Sequence, residues 1–296
     1  MKRFLALCPL LAATACSAGG GGTTPSANQP VGATVASVAM LSDANASSIS
    51  RIYVAQYLSN DIEEFGPKGN LLATSTANCN GPQNIVFDHN ENLLVACLGS
   101  ENVLSFTKDL VQDGTVVQAS DYLVGLAVGP AGKIFTTLYH TGNVVAYNPN
   151  GQQTTPTIAG SGNPTYVAVD AQGKIYVTDT VLNTLKTYKA DGTPTTPTIT
   201  AGLNGPGDVV VDKNGKIYVC NGGSSSITTY NADGTPTTPT IAVKGPHGIA
   251  VAANGDILVS DSTDNTALTF SPTGKPIQPT IAGLNQPTGI AVLSSP

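Results

Sequence analysis

Charge is what this sequence has least of. Asp, Glu, Lys and Arg make up 11% of its 296 residues, and 13 basic against 19 acidic side chains leave a net charge of −6. A phosphate backbone is held by clustered Lys and Arg, so nucleic acid is excluded as a partner. Histidine occurs only at 89, 140 and 247. The internal repeat of the chain puts His89 in a turn of the opposite face and His140 away from His247's half of the ring, so no three-histidine zinc site is available. No Gly-x-Ser-x-Gly, His-Glu-x-x-His, phosphate-loop or dinucleotide pattern is present. Past the N-terminal segment no run of about 18 apolar residues occurs, so no helix of the mature chain is expected to span a membrane. Tryptophan is absent and aromatics are sparse at 5%.

In their place stand 32 Gly and 20 Pro, the residues that tight turns between short strands consume. They recur with a period. The stretch GPGDVVVDKNGKIYVCNGGSSSITTYNADGTPTTPTIAVK, residues 205 to 244, holds three short apolar runs, an Asn-Gly and an Asp-Gly turn, and a Thr/Pro-rich close. Copies of it fill the chain. The aromatic ending the third run falls at Phe65, Phe106, Tyr147, Tyr188, Tyr230 and Phe270, in steps of 40 to 42. Units of about 40 residues with four short strands are the mark of propeller blades.

Five whole units begin near Gly81, Tyr122, Asn163, Gly205 and Gly245. A sixth is split. Its second to fourth runs open the ring at Ile52-Tyr53-Val54, and its first run, Gly289-Ile290-Ala291-Val292, comes last. The expectation is an all-β, six-bladed β-propeller of four-stranded blades over 51–296, closed by one C-terminal strand joining three N-terminal strands. Such closure pairs edges that would otherwise stay bare. Pro156, Pro197, Pro239 and Pro279 fall in fourth runs, where a missing N–H is tolerated at an outer edge.

Ahead of the ring, Met1 to Ala15 reads as an export signal: Lys2 and Arg3, an apolar core, then small residues. Ala13-Thr14-Ala15-Cys16 resembles a bacterial lipoprotein processing site, which implies lipidation of Cys16 and a membrane contact through that anchor alone. Ser17 after the cysteine implies transfer to the outer membrane of a two-membrane cell. The alternative is a plain secretory cut. Residues 16–50 form an uncharged, Gly/Ser-rich tether in their first half.

The units GPGDVVVDKNGKIYVCN, NPTYVAVDAQGKIYVTD and GPHGIAVAANGDILVSD resemble NHL repeats over about residues 51 to 293. The resemblance implies the propeller fold. It leaves function open, because similar propellers serve as sensor domains, protein-binding platforms, lactonases and lyases.

In such a blade the loop into the first strand and the loop leaving the second share one face at the channel mouth. That face collects Asn84, Tyr166, Asp208 and His247, together with Gln56, Asp179, Asn221 and Asp261, and below them Asn102, Asn143, Asn183 and Asn265. Convergent polar groups at a mouth are a ligand site; the other reading is that they cap strand ends and bond to loop backbone. Asp208, His247 and Asp261 are the candidate catalytic set, able in principle to hold calcium or magnesium or to act as a base. Cys79 and Cys97 lie on the same face of one blade, and an export compartment would permit their disulfide. Two functions are carried forward. One is a monomeric module binding a protein, glycan or small molecule through its channel face. The other is a metal-dependent hydrolase or lyase, lactonase-like or streptogramin-lyase-like, on the same ring.

Overall fold

A computed structural model of the chain describes residues 49–76, 79–159 and 162–295. The export signal, Cys16 and the tether up to residue 48 lie outside the described residues. Short apolar runs alternate with turns, and each run forms one strand. The chain begins with β1 (Ile49–Gln56), β2 (Asp61–Phe65) and β3 (Leu71–Thr76). Then follow β4 (Pro82–Phe87), β5 (Leu93–Cys97), β6 (Asn102–Phe106) and β7 (Gln112–Gln118). The next unit holds β8 (Leu123–Val128), β9 (Ile134–Leu138), β10 (Asn143–Tyr147) and β11 (Gln153–Ile158). After it come β12 (Pro164–Val169), β13 (Ile175–Asp179), β14 (Thr184–Tyr188) and β15 (Pro194–Ile199). A further unit is β16 (Pro206–Val211), β17 (Ile217–Asn221), β18 (Ser226–Tyr230) and β19 (Pro236–Ala242). The last is β20 (Pro246–Val251), β21 (Ile257–Asp261), β22 (Thr266–Phe270) and β23 (Pro276–Ala282), before β24 (Pro287–Ser294).

These strands make six four-stranded antiparallel sheets, numbered here as blades I to VI from the N-terminus. Blade I has the order β24-β1-β2-β3, so the last strand of the chain is the innermost strand of the first blade. Its register sets Ile52 opposite Val292, Tyr53 opposite Ala291 and Val54 opposite Ile290. The innermost strands β24, β4, β8, β12, β16 and β20 each pack against the next around the ring. The architecture is the six-bladed propeller expected from the repeat.

The core lies between blades. The second strands of blades II, IV, V and VI are buried along their whole length, because each radial sheet has a neighbour on both faces. Phe65, Phe106, Tyr147, Tyr188, Tyr230 and Phe270 are all buried, and burying an aromatic ring is the largest single apolar gain available.

Polar straps reinforce this packing. At the fourth position of the second strand, Thr137 donates to Thr165 O at 2.8 Å and Thr178 to Gly207 O at 2.8 Å, each reaching the innermost strand of the next blade. Ser260 makes the same bond to Thr288 O, and Thr288 in turn donates to Pro82 O at 2.7 Å. Cys220 holds that position in blade V as a buried free thiol.

The outer belt has its own repeating contact. Pro156, Pro197, Pro239 and Pro279 lie in outermost strands, each after a cis peptide bond. A turn glycine of the following blade packs on each. At Gly234 (φ +86°) an added Cβ would stand 2.6 Å from Pro197 Cβ, so space and backbone both require glycine.

Candidate functional site

The upper face of the ring carries the loops into the first strands and the loops between second and third strands. Both leave backbone N–H groups without strand partners, which is costly unless an acceptor is supplied. In four blades the residue ending the second strand supplies it. Asp179 Oδ1 accepts from Val181 N and Leu182 N at 3.0 and 2.8 Å, and its Oδ2 from Asn163 N at 3.0 Å. Asp261 Oδ1 accepts from Gly245 N, Thr263 N and Asp264 N. Asn221 Oδ1 accepts from Asn204 N, while its Nδ2 donates to Val219 O and Thr228 Oγ1. Gln56 Oε1 takes the equivalent bond from Asn285 N.

Blade II solves the same problem covalently. Cys97 occupies the strand-end position, and its sulfur is bonded to Cys79 in the incoming loop, with Sγ–Sγ 2.14 Å and Cα–Cα 5.1 Å. In blade III the strand ends in Leu138, and the acceptor comes from the other side. Asp121 of the incoming loop accepts from Tyr122 N, His140 N and Thr141 N and pairs with His140 Nδ1 at 2.9 Å.

Asparagines of the following turn then link blade to blade. Asn60, Asn183 and Asn265 adopt left-handed backbone (φ 57°, 53° and 55°), which Asn tolerates. Their side-chain oxygens accept from Gly81 N, Gly205 N and Gln286 N of the next blade at 2.7, 2.6 and 2.9 Å.

A second group sits at the ring axis. The third residue of each innermost strand is Asn84, Gly125, Tyr166, Asp208, Gly248 or Gly289. The glycines stand where neighbouring strands nearly touch: a Cβ at Gly248 would lie 2.2 Å from Thr288 O. The other three point their side chains across the ring. Asn84 Nδ2 of blade II donates to Asp208 Oδ1 of blade V at 3.3 Å. Asp208 Oδ1 also accepts from Val209 N at 2.9 Å, and its Oδ2 from Ile249 N of blade VI at 3.0 Å. Tyr166 OH and His247 Nδ1 are 3.2 Å apart, linking blades IV and VI, with the rings edge to face. Asn84, Tyr166 and Asp208 keep 3%, 4% and 6% of their surface, so these bonds close the upper end of the channel.

Of the sequence-nominated residues, the structure therefore joins Asn84 to Asp208 and Tyr166 to His247. Asp179, Asn221 and Asp261 remain with the loops. Among the described residues no three His, Cys, Asp or Glu side chains are grouped as a metal centre, and Asp208 and Asp261 are both engaged by backbone N–H groups. Burial pushes the Asp208 carboxyl up to about 7, against the opposing pull of its Ile249, Val209 and Asn84 donors. Burial lowers His247 to about 4, so at neutral pH its ring is an uncharged partner for Tyr166.

Below this closure the channel widens. A cavity of about 170 Å³ is lined by the lower halves of the innermost strands, with Asn84 and Asp208 at its upper end. A second hollow of about 390 Å³ at the lower turns, lined by His89, Pro130 and Asp170 among others, shares Val128 and Val169 with it. The channel therefore opens on the lower face.

Sequence reasoning passed over one feature of the upper face. Leu58, Tyr139, Val181 and Leu182 are large, exposed apolar side chains of the second-to-third-strand loops of blades I, III and IV. Tyr122 and Tyr139 flank the His140 ring, at 4.5 and 5.7 Å between centroids. Aligning the repeats shows the signal, because blades V and VI carry GGSS and STDN there.

A family model described as NHL repeat matches residues 244–266. No curated protein matches the chain. Among solved structures, a chain of a Nidogen/Laminin complex superposes with a TM-score of 0.73 at 16% identity, over 83% of this chain and 99% of that one. A protein of unknown function from Bacteroides caccae gives 0.67 at 10% identity, over 83% and 99%. A catalytically inactive variant of virginiamycin B lyase from Staphylococcus aureus, with quinupristin, gives 0.61 at 12% identity, over 82% and 88%. At these identities the likeness establishes the fold.

Two outcomes follow from this geometry. Asp208 holds a proton in the folded state between about pH 4 and 7 that the unfolded chain has released, so its contribution to stability falls as pH rises through that window. His247 refuses, between about pH 6.5 and 4, a proton that the unfolded chain accepts, so its contribution falls as pH drops. The two oppose each other. Asp208→Asn should leave the histidine slope alone, and urea midpoints of the variant should climb more steeply from pH 4 to 6.5 than those of the parent; parallel curves would refute the coupling. Separately, the Cys79→Ser/Cys97→Ser pair should cost about 3 kcal/mol, the loop-closure value for a link of 18 residues. An unchanged urea midpoint would show that the loop is held without the bond.

Proposed function

We propose that this protein is an exported, envelope-tethered binding module that docks a protein partner on the upper face of its propeller. The observation that carries this reading is the placement of Leu58, Tyr139, Val181 and Leu182, exposed on upper-face loops that their neighbours hold rigid. Apolar side chains left in water that share a face mark a macromolecular contact; Leu71, Leu72 and Val111 are also exposed but lie in β3 and in the turn between β6 and β7. Anchors already fixed before binding lose little entropy when a partner arrives. The shared fold with a chain of a Nidogen/Laminin complex is in keeping with such a role.

Export is supported by the Lys2-Arg3 and apolar-core pattern, by Cys16 in its Ala-Thr-Ala-Cys setting, and by the Cys79–Cys97 bond. Disulfides persist in oxidising compartments. The segment after Cys16 is uncharged and rich in Gly and Ser, the composition of a linker.

Virginiamycin B lyase shares the fold, and a hydrolase or lyase acting through Asp208, His247 and Asp261 is the competing function. Against it stand the bonds already made. Asp208 is turned to Asn84 and two backbone N–H groups, and Asp261 to three loop N–H groups.

Cell fractionation tests the anchor. The parent should sediment with membranes and incorporate labelled fatty acid, and Cys16→Ser should abolish both; a parent found wholly in the soluble fraction overturns the anchored form. Docking is tested with the partner that cross-links to a photoreactive residue at position 182 in cells. Tyr139→Ser with Leu182→Asp should weaken that complex at least about tenfold, the loss of two interface anchors, at an unchanged melting temperature. Turnover of lactones or of quinupristin, lost in His247→Ala, would instead establish the enzyme.

A further inference from the structure

The cavity inside the ring has walls and an end of opposite chemistry. Val86, Ala127, Val128, Ala168, Val169 and Val210 stand along it, and Asp208 is the one ionisable group among its lining residues. Innermost strands pair on one side only, so their free edges turn backbone carbonyls and amides toward the axis. A carboxylate accepts about four hydrogen bonds. Asp208 uses two on Oδ1, from Val209 N and Asn84, and one on Oδ2, from Ile249 N. One acceptor site on Oδ2 is left over, at the end of a cavity whose lining carries no cation.

Buried carboxylates are stable when paired with positive charge. A bare metal ion would leave the valine side chains along the cavity without a partner. A donor attached to a hydrocarbon body satisfies both surfaces at once. We propose that this cavity binds a small organic ammonium ion, a protonated primary amine with its head on Asp208 Oδ2 and its hydrocarbon among the channel valines. At about 170 Å³ the space resembles cavities of about 150 Å³ that admit a benzene ring. The raised carboxyl of Asp208 is in keeping with this, because it reports a charge that burial leaves under-compensated. The cavity opens on the lower face and is independent of upper-face docking.

Calorimetric titration of the intact protein with n-butylammonium, 1-butanol and butyrate separates head from tail. Butylammonium should bind saturably, butanol about tenfold more weakly, as a neutral hydrogen bond replaces a charged one, and butyrate not at all. Asp208→Asn, confirmed folded by its melting curve, should bring the ammonium and the alcohol to within about twofold of each other, since the neutral amide removes that charged advantage. Ala168→Leu keeps the carboxylate and fills the space, so it should weaken both. Equal binding of the three heads, no saturable binding of any, or ammonium binding untouched by Ala168→Leu would each overturn the proposal.

Discussion

The pairing of β24 with β1 is the interaction on which the rest of this structure depends. It joins the last strand of the chain to the first, with Val292 opposite Ile52 and Ile290 opposite Val54. Ser50 Oγ reinforces it by donating to Leu293 O across 243 positions of sequence. Closing so long a loop adds little entropy cost over a shorter one, because the cost grows only with the logarithm of length. In return both ends of the ring lose a bare edge. A ring is also what lets Asn84 and Asp208 meet from opposite blades; in an open array of the same repeats they would face water.

Around that constraint, the six blades reach equivalent ends with different side chains. Loop N–H groups on the upper face need acceptors, and Asp179, Asp261, Asn221 and Gln56 provide them from one position. A disulfide replaces the acceptor in blade II, and Asp121 answers from the opposite loop in blade III. The strap between second and innermost strands varies too: threonine or serine donates it in blades III, IV and VI, and a buried thiol holds the position in blade V. Such variation is permitted because each bond is local to one pair of blades, the quasi-independent behaviour expected of repeats.

Polar groups at the mouth of a propeller invite a ligand reading, and here most of them are occupied. Asp179 and Asp261 hold loops, and Asn183 and Asn265 hold neighbouring blades. What is left for recognition is of two kinds: apolar loop tips above a stiff upper face, and a valine-walled channel below, ended by one carboxylate. The first suits a large partner and the second a small one.

The sequence by itself determined the blade count, the order of strands and the closure, because these follow from a period near 41 residues and from runs whose burial is decided locally. It also placed Asp208, Tyr166, Asn84 and His247 on one face, and Cys79 near Cys97. Only the tertiary structure decided which of them meet. Asn84 and Asp208 are 124 positions apart, and their contact depends on the curvature of the closed ring rather than on any local pattern. The same holds for the exposed loop tips. Val181 and Leu182 read as ordinary apolar residues until Asp179 is seen to hold their backbone at the surface, since a side chain's exposure is set by what packs around it and not by its own type.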